Sequence, residues 1–273
     1  MPRRSIGVSQ ARVDNWRERP VARPTVQLFN HCSEIASHAA REVARIAGDA
    51  ASARGVFTIA LAGGSTPKML YALLAEHPAL RNSLPWDKMQ VFFGDERHVG
   101  PGHADSNFQM ASDSMLSKVP LGEGQIHRIK GEYPDVAQAA TEYEDVIRHQ
   151  FGLRAGEFPR FDLILLGMGN DGHTLSLFPG TKALRETARV VTHNWIGKLY
   201  AGRITLTAPA ANNAANIIFM VTGSDKACAL KAVLEGPHEP EQLPSQMIQP
   251  ANGSLCWLVD AAAGSMLSKE ILS

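Results

Sequence analysis

Phe161–Thr181 reads FDLILLGMGNDGHTLSLFPGT. From Phe161 to Leu166 only Asp162 interrupts an apolar run. A short apolar run bounded by glycine is the pattern of a strand buried on both faces of a parallel sheet. Gly167, Gly169 and Gly172 follow it. Glycine lets the backbone turn sharply and lets a ligand come close. Asp171 and His173 lie inside that turn. Open α/β sheets place their ligands at the carboxyl ends of such strands. The same composition also suits an ordinary strand-to-helix connection, with an aspartate cap and a solvated histidine.

Working outward, the pattern repeats. Val56–Ala62 is a second apolar run and leads into Gly63-Gly64-Ser65-Thr66-Pro67. A helix follows, with Met69, Leu70, Leu73 and Leu74 on one side. Proline suits a first helical turn, where its missing N–H costs nothing. Glycine N–H groups, two hydroxyls and a helix N-terminus make a phosphate cradle. They equally make a plain helix start. The unit lacks the Lys-Ser/Thr ending of a P-loop and the GxGxxG of a dinucleotide fold.

Gln90–Phe93 is a third strand, ending in Gly94-Asp95-Glu96-Arg97-His98. A charged run of this kind usually means a solvated loop, and its place at a strand's carboxyl end also suits a ligand site. Arg97 is suited to fork onto a phosphate or carboxylate, with Asp95 or Glu96 orienting it. His98 and His103 do not have the HExxH zinc spacing. Ser106-Asn107-Phe108-Gln109 resembles a capping box that opens a helix through Met115 and Leu116. Asn216–Val221 is another apolar strand and ends in Thr222-Gly223-Ser224-Asp225-Lys226. Ser224 is a candidate cap there. A lysine in a first helical turn opposes the dipole, so Lys226 invites an anion, although surface lysines are common.

The remaining stretches extend the alternation. Thr25–Phe29, Ile126–Ile129, Val190–Thr192, Ile204–Thr207 and Leu255–Val259 read as strands. Helices are expected after Ser33 as cap, over Val136–Gln150 and over Ala261–Leu272. Trp195–Gly202 reads as a loop near Lys198 and Arg203, and Pro237–Pro250 as a proline-rich loop. Alternating strands and helices imply an α/β layered fold with a mostly parallel sheet. We expect one domain over residues 25–273, after a loosely ordered, Arg-rich extension over residues 1–24.

Bulk composition narrows the function. Of 273 residues 44% are hydrophobic, enough for a substantial core. Lys+Arg and Asp+Glu both number 27, so no basic surplus points to nucleic acid. No apolar stretch has transmembrane length. Cys32, Cys228 and Cys256 are far apart and fit no zinc or CxxC spacing, which suits a reduced cytoplasmic protein.

Five stretches, in order, closely resemble the 6-phosphogluconolactonase family. They are LAGGSTPKMLYALL (Leu61–Leu74), VFFGDERHV with SNFQM (Val91–Met110), FDLILLGMGNDGHTLSLFPGT, RITLT (Arg203–Thr207) and VTGSDKACAL (Val221–Leu230). The resemblance implies a three-layer α/β/α fold with a Rossmann-like, mostly parallel sheet and a smaller appended β region. That fold is shared with glucosamine-6-phosphate deaminases and ribose-5-phosphate isomerase. It implies hydrolysis of 6-phospho-D-glucono-1,5-lactone, with no cofactor and no metal. The implied partner is a small sugar phosphate, taken by a monomer or homodimer, with no nucleic acid or membrane.

His173 matches the family's catalytic base, and a histidine supplies that chemistry near neutral pH. Asp171 is expected to orient it. Backbone N–H groups of the glycine turn around Gly169, with Arg97, are candidates for the oxyanion. Gly63, Gly64, Ser65 and Thr66 would take the phosphate, helped by Arg97 and Lys226, with Arg203 and Lys198 behind them. Asp95 completes the expected substrate-binding set.

The turn HVGPGHADSNF and the loop GKLYAG lack prolines usual in relatives. The continuation after Asp-Gly-His, Thr-Leu-Ser-Leu-Phe-Pro, differs from that of the deaminases. Two rival readings are a sugar-phosphate isomerase or deaminase on the same fold, and a non-catalytic sugar-phosphate sensor. A sensor of the regulator type needs a helix-turn-helix, which the short, proline-interrupted N-terminus does not supply.

Overall fold

The computed structural model describes residues 24–197 and 201–271. Its main sheet has six strands: β1 (Thr25–Phe29), β2 (Phe57–Leu61), β3 (Met89–Phe93), β5 (Leu163–Leu166), β8 (Asn216–Val221) and β9 (Ser254–Asp260). They run β1-β9-β8-β5-β2-β3, and every pairing is parallel. The inner strands are covered on both faces, which is why Leu163–Leu166 is apolar without alternation.

Seven helices connect the strands among the described residues: α1 (Cys32–Arg54), α2 (Ser65–Glu76), α3 (Pro78–Ser83), α4 (Asn107–Ser114), α5 (Val136–Phe151), α6 (Ala208–Asn212) and α7 (Ala227–Glu235). The chain travels one way along the sheet through β1, β2 and β3, and the other way through β5, β8 and β9. Right-handed crossovers therefore put the two sets of helices on opposite faces, which gives three layers. α1 buries Ile35, Ala39, Val43, Ile46 and Ala47 at helical spacing, and small residues on that stripe let it lie close to the sheet.

A second, antiparallel sheet carries β4 (Asp95–Arg97), β7 (Ala201–Leu206) and β6 (Val191–Ile196), in the order β4-β7-β6. Gly94 joins the two sheets. Its N–H donates to Leu61 O at 2.9 Å, and its carbonyl accepts from Leu206 N at 2.8 Å. A Cβ there would sit 2.7 Å from Leu175 Cδ2. Two buried tyrosines act beside this junction. The Tyr71 hydroxyl donates to Ala62 O at 2.8 Å and accepts from Ala62 N at 2.9 Å. The Tyr143 hydroxyl does the same at Phe93, at 2.9 and 2.8 Å. Each phenol stands in for a neighbouring strand where a strand of the parallel sheet, β2 or β3, runs out.

Several sequence expectations are corrected. The Asp95–Arg97 segment is a strand, because its partner β7 lies beside it. Within the stretch read as a loop, Trp195 and Ile196 pair with Gly202 and Ala201 as the facing ends of β6 and β7. Ile126–Ile129 makes only one bridge, Ile126 to Val91, before Gly131 N–H turns back onto Ile129 O. Ser33 is not a cap: α1 starts at Cys32, and the Glu34 carboxylate reaches back to Asn30 N–H. Ser224 opens a short 3-10 turn before α7, while Gly223 N–H is taken by Asp260 from the next strand. α4 ends at Ser114, short of Met115 and Leu116. After β9 the described chain has one short turn, Ala263–Met266, pinned by Ala263 N–H on Asp260, instead of a helix. The expected extension lies outside the described residues except for Pro24.

Candidate active site

The two chain directions diverge between β2 and β5, and such a switch point opens a crevice at the strands' carboxyl ends. Gly63–Thr66 leaves β2 on one side of it and Gly167–His173 leaves β5 on the other. Neighbouring loops are stitched together. Thr66 Oγ1 lies 2.9 Å from Thr222 Oγ1, joining the β2 and β8 loops. Gly64, at φ 110°, caps α2 with no side chain. Pro67 has no N–H, so the unsatisfied donors of this helix start fall on the glycine–hydroxyl segment before it. A Cβ at Gly63 would sit 2.0 Å from Asn107 Oδ1, so only glycine fits beside that side chain.

The turn after β5 is built around His173. Gly169 N–H donates to His173 O at 2.8 Å, and Gly172 N–H donates to Gly169 O at 3.1 Å. Gly172 has φ 76°, which favours glycine. Asp171 Oδ1 accepts from His173 N–H at 3.2 Å and lies 2.5 Å from His173 Nδ1. An ionised carboxylate only accepts, so Nδ1 carries the proton and Nε2 presents a lone pair. The imidazole stacks on Phe178 with centroids 4.0 Å apart. A Cβ on Gly169 would fall 2.0 Å from Nδ1, inside the ring's own space. The N–H groups of Gly169 and Gly172, expected to hold an oxyanion, are thus engaged within the turn.

The appended sheet supplies the charged wall. Asp95 Oδ2 accepts from Ser176 Oγ at 2.6 Å, and Asn107 Nδ2 donates to Asp95 O at 2.9 Å and Oδ1 at 3.3 Å. Ser176 is fixed in turn by Thr205 and Asn194, and it follows Leu175, at φ 53° the only non-glycine with positive φ among the described residues. Glu96 is 2% exposed and accepts from Arg97 N, Ser106 Oγ, Asn107 N and Phe108 N at 2.7–2.9 Å. Burial pushes its carboxyl above the ordinary value, opposed by these donors. Ser106 caps α4 by accepting from Gln109 N–H, but the Gln109 side chain turns to Asp113 instead of closing the box.

Arg97 and Arg203 stand directly opposite each other on β4 and β7. Like charges in that position repel. Arg97 donates to Asp105 O and Arg203 to Gly202 O, neutral acceptors both. Burial, and then Arg97, hold Arg203 below the ordinary arginine value. Such a pair suits an anion between or beside the guanidinium groups. Lys226 is ion-paired with Asp225 at 2.6 Å. Lys198 lies outside the described residues. Among the described residues, no group of three His, Cys, Asp or Glu side chains is placed to hold a metal ion.

Sequence reading missed Asn107, Ser176, Phe178 and Asn194 as parts of the site. Asn107 was legible only as a capping-box residue. Ser176 and Asn194 carry no local signal, because their partners are distant in sequence, and Phe178 reads as an ordinary apolar residue five positions after the histidine it stacks on.

Comparison with known proteins agrees with this architecture. Residues 30–257 match the family described as glucosamine-6-phosphate isomerases/6-phosphogluconolactonase. A 6-phosphogluconolactonase of Synechocystis sp. is 45% identical, over 78% of this chain and 86% of that protein. The solved 6-phosphogluconolactonase of Trypanosoma cruzi superposes with a TM-score of 0.80 at 29% identity, over 92% of this chain and all of that one. A monomeric glucosamine-6-phosphate deaminase shares the fold, with a TM-score of 0.75 at 19% identity over 89% of this chain and 99% of that one. The chain therefore belongs to the glucosamine-6-phosphate isomerase/6-phosphogluconolactonase family, on its 6-phosphogluconolactonase branch.

Proposed function

We propose that the chain hydrolyses 6-phospho-D-glucono-1,5-lactone to 6-phospho-D-gluconate without a metal, with His173 as general base. The observation that carries this reading is the 2.5 Å contact of His173 Nδ1 with Asp171, which leaves Nε2 as the basic nitrogen at the switch-point crevice. Nε2 takes a proton from water as the oxygen attacks C1. Asp171 stabilises the imidazolium that forms. Arg97 faces the developing oxyanion, where charge complementarity counts most. Collapse of the tetrahedral intermediate breaks the bond from C1 to the ring oxygen, and His173 returns the proton to that oxygen. The new carboxyl group then ionises and releases one proton.

The 6-phosphate is assigned to Gly63, Gly64, Ser65 and Thr66, with Lys226 and Arg203 supplying charge. Asp95 accepts from sugar hydroxyls. Residues 25–273 act as one domain, in the cytoplasm, as a monomer or homodimer. Three unbridged cysteines support that compartment.

The decisive assay measures hydrolysis of freshly generated lactone, with EDTA present and the spontaneous rate subtracted. Wild type is expected to be fast, and His173→Ala slower by about a hundredfold or more, as loss of a general base implies. A wild-type rate no better than the spontaneous one would overturn the substrate and bring isomerase or deaminase substrates forward. A fully active His173→Ala would overturn the base.

A further inference from the structure

The segment between α7 and β9 is polar and proline-rich, yet Pro244, Ser245 and Gln246 within it are buried. Burying a carboxamide is costly unless its groups are bonded. Gln246 bonds to four backbone groups. Its Nε2 donates to Pro237 O at 2.9 Å, and more weakly to Ala232 O and Val233 O at 3.2 and 3.3 Å. Its Oε1 accepts from Glu239 N–H at 2.7 Å. One side chain thus ties the end of α7 to both arms of the loop. The loop in turn grips the turn that carries Asp171 and His173. Ser245 N–H donates to Gly172 O at 2.9 Å, and Glu241 O accepts from Gly180 N–H at 3.0 Å. Leu243 closes over Gly172, where a Cβ would meet its Cδ2 at 2.8 Å.

We propose that the loop from Glu239 to Ile248 is a clamp that positions the Asp171–His173 pair, with Gln246 as its anchor and Leu243 and Ser245 N–H as its grip on Gly172. The functional half of this inference rests on His173 as the base. Gly172 is the single residue between the aspartate and the histidine, so the link between the two partners is held from outside the turn, at its carbonyl. The clamp touches no expected substrate group. Its residues are positioning residues, which keep Nε2 in line with the attacking water. Misplacement by about 1 Å costs catalysis about a hundredfold.

The test compares wild type with Leu243→Ala and Gln246→Leu. It reads kcat and KM per folded molecule, and the downfield proton resonance of the His173 Nδ1–H. The clamp predicts that the resonance broadens or vanishes, that kcat falls about tenfold or more and that KM stays within about twofold. An unaltered resonance overturns the clamp, whatever happens to thermal stability or rate. A lost resonance with unaltered kcat leaves the clamp standing and overturns the base reading instead. Should Gln246→Leu fail to fold, Leu243→Ala and amide exchange in wild type still decide. The Ser245 amide must exchange as slowly as sheet amides, and exchange at the rate of an open loop overturns the grip.

Discussion

At the scale of single residues, the site depends as much on absent atoms as on functional groups. Gly169 is the sharpest case, since a Cβ there would occupy the imidazole's place 2.0 Å from Nδ1. Gly169→Ala is expected to lower kcat by about a hundredfold or more while the folded fraction holds, checked by steady-state rates beside a thermal melt. The opposed arginines give a second test. An arginine on the phosphate raises KM when lost, whereas one on the oxyanion lowers kcat with little change in KM. We therefore expect Arg203→Met to act mainly on KM and Arg97→Met mainly on kcat, each by about tenfold or more. The Asp-Gly-His turn was legible from sequence because glycine and ionisable residues cluster there. Ser176 was not, because its role depends on Asp95, 81 positions away.

At the scale of elements, the parallel strands were legible from continuous apolar runs and glycine boundaries, usually to within a few residues. What stayed hidden was structure decided by a partner. Asp95–Arg97 is three charged residues, and nothing local makes it a strand until β7 pairs with it. Trp195 and Gly202 face each other within the hairpin read as a loop. The last expected helix gave way to a turn pinned by Asp260. The start of α4 shows how tightly one side chain can hold an element. Glu96 takes three backbone N–H groups and one hydroxyl at once. Glu96→Gln points an amide NH₂ at donors, and should cost about 2–3 kcal/mol of stability, measured by denaturant unfolding. Activity should fall with it, because Arg97 and Asn107 take their backbone positions from that carboxylate.

At the scale of the whole molecule, two sheets meet at Gly94, and the crevice between them is lined by loops from both. The parallel sheet carries the Gly63–Thr66 segment and His173, to which we assign the phosphate and the base, and the antiparallel one carries Arg97, Arg203 and Asp95. The junction is also where Tyr71 and Tyr143 close off Ala62 and Phe93. Burial pushes both phenols far above the ordinary tyrosine value. In an unfolded chain a phenol ionises near pH 10. Above that point the unfolded state binds fewer protons than the native one. The stabilising contribution is therefore complete below about pH 10 and drains away as pH rises further. Comparing ultraviolet absorbance of wild type with a Tyr71→Phe/Tyr143→Phe variant isolates their phenolates. These are expected to appear only together with loss of far-ultraviolet circular dichroism, and their appearance in a still-folded protein would contradict the arrangement. On that expectation the two phenols serve as a built-in alkaline indicator, silent while the chain is folded and absorbing as phenolate only once it unfolds.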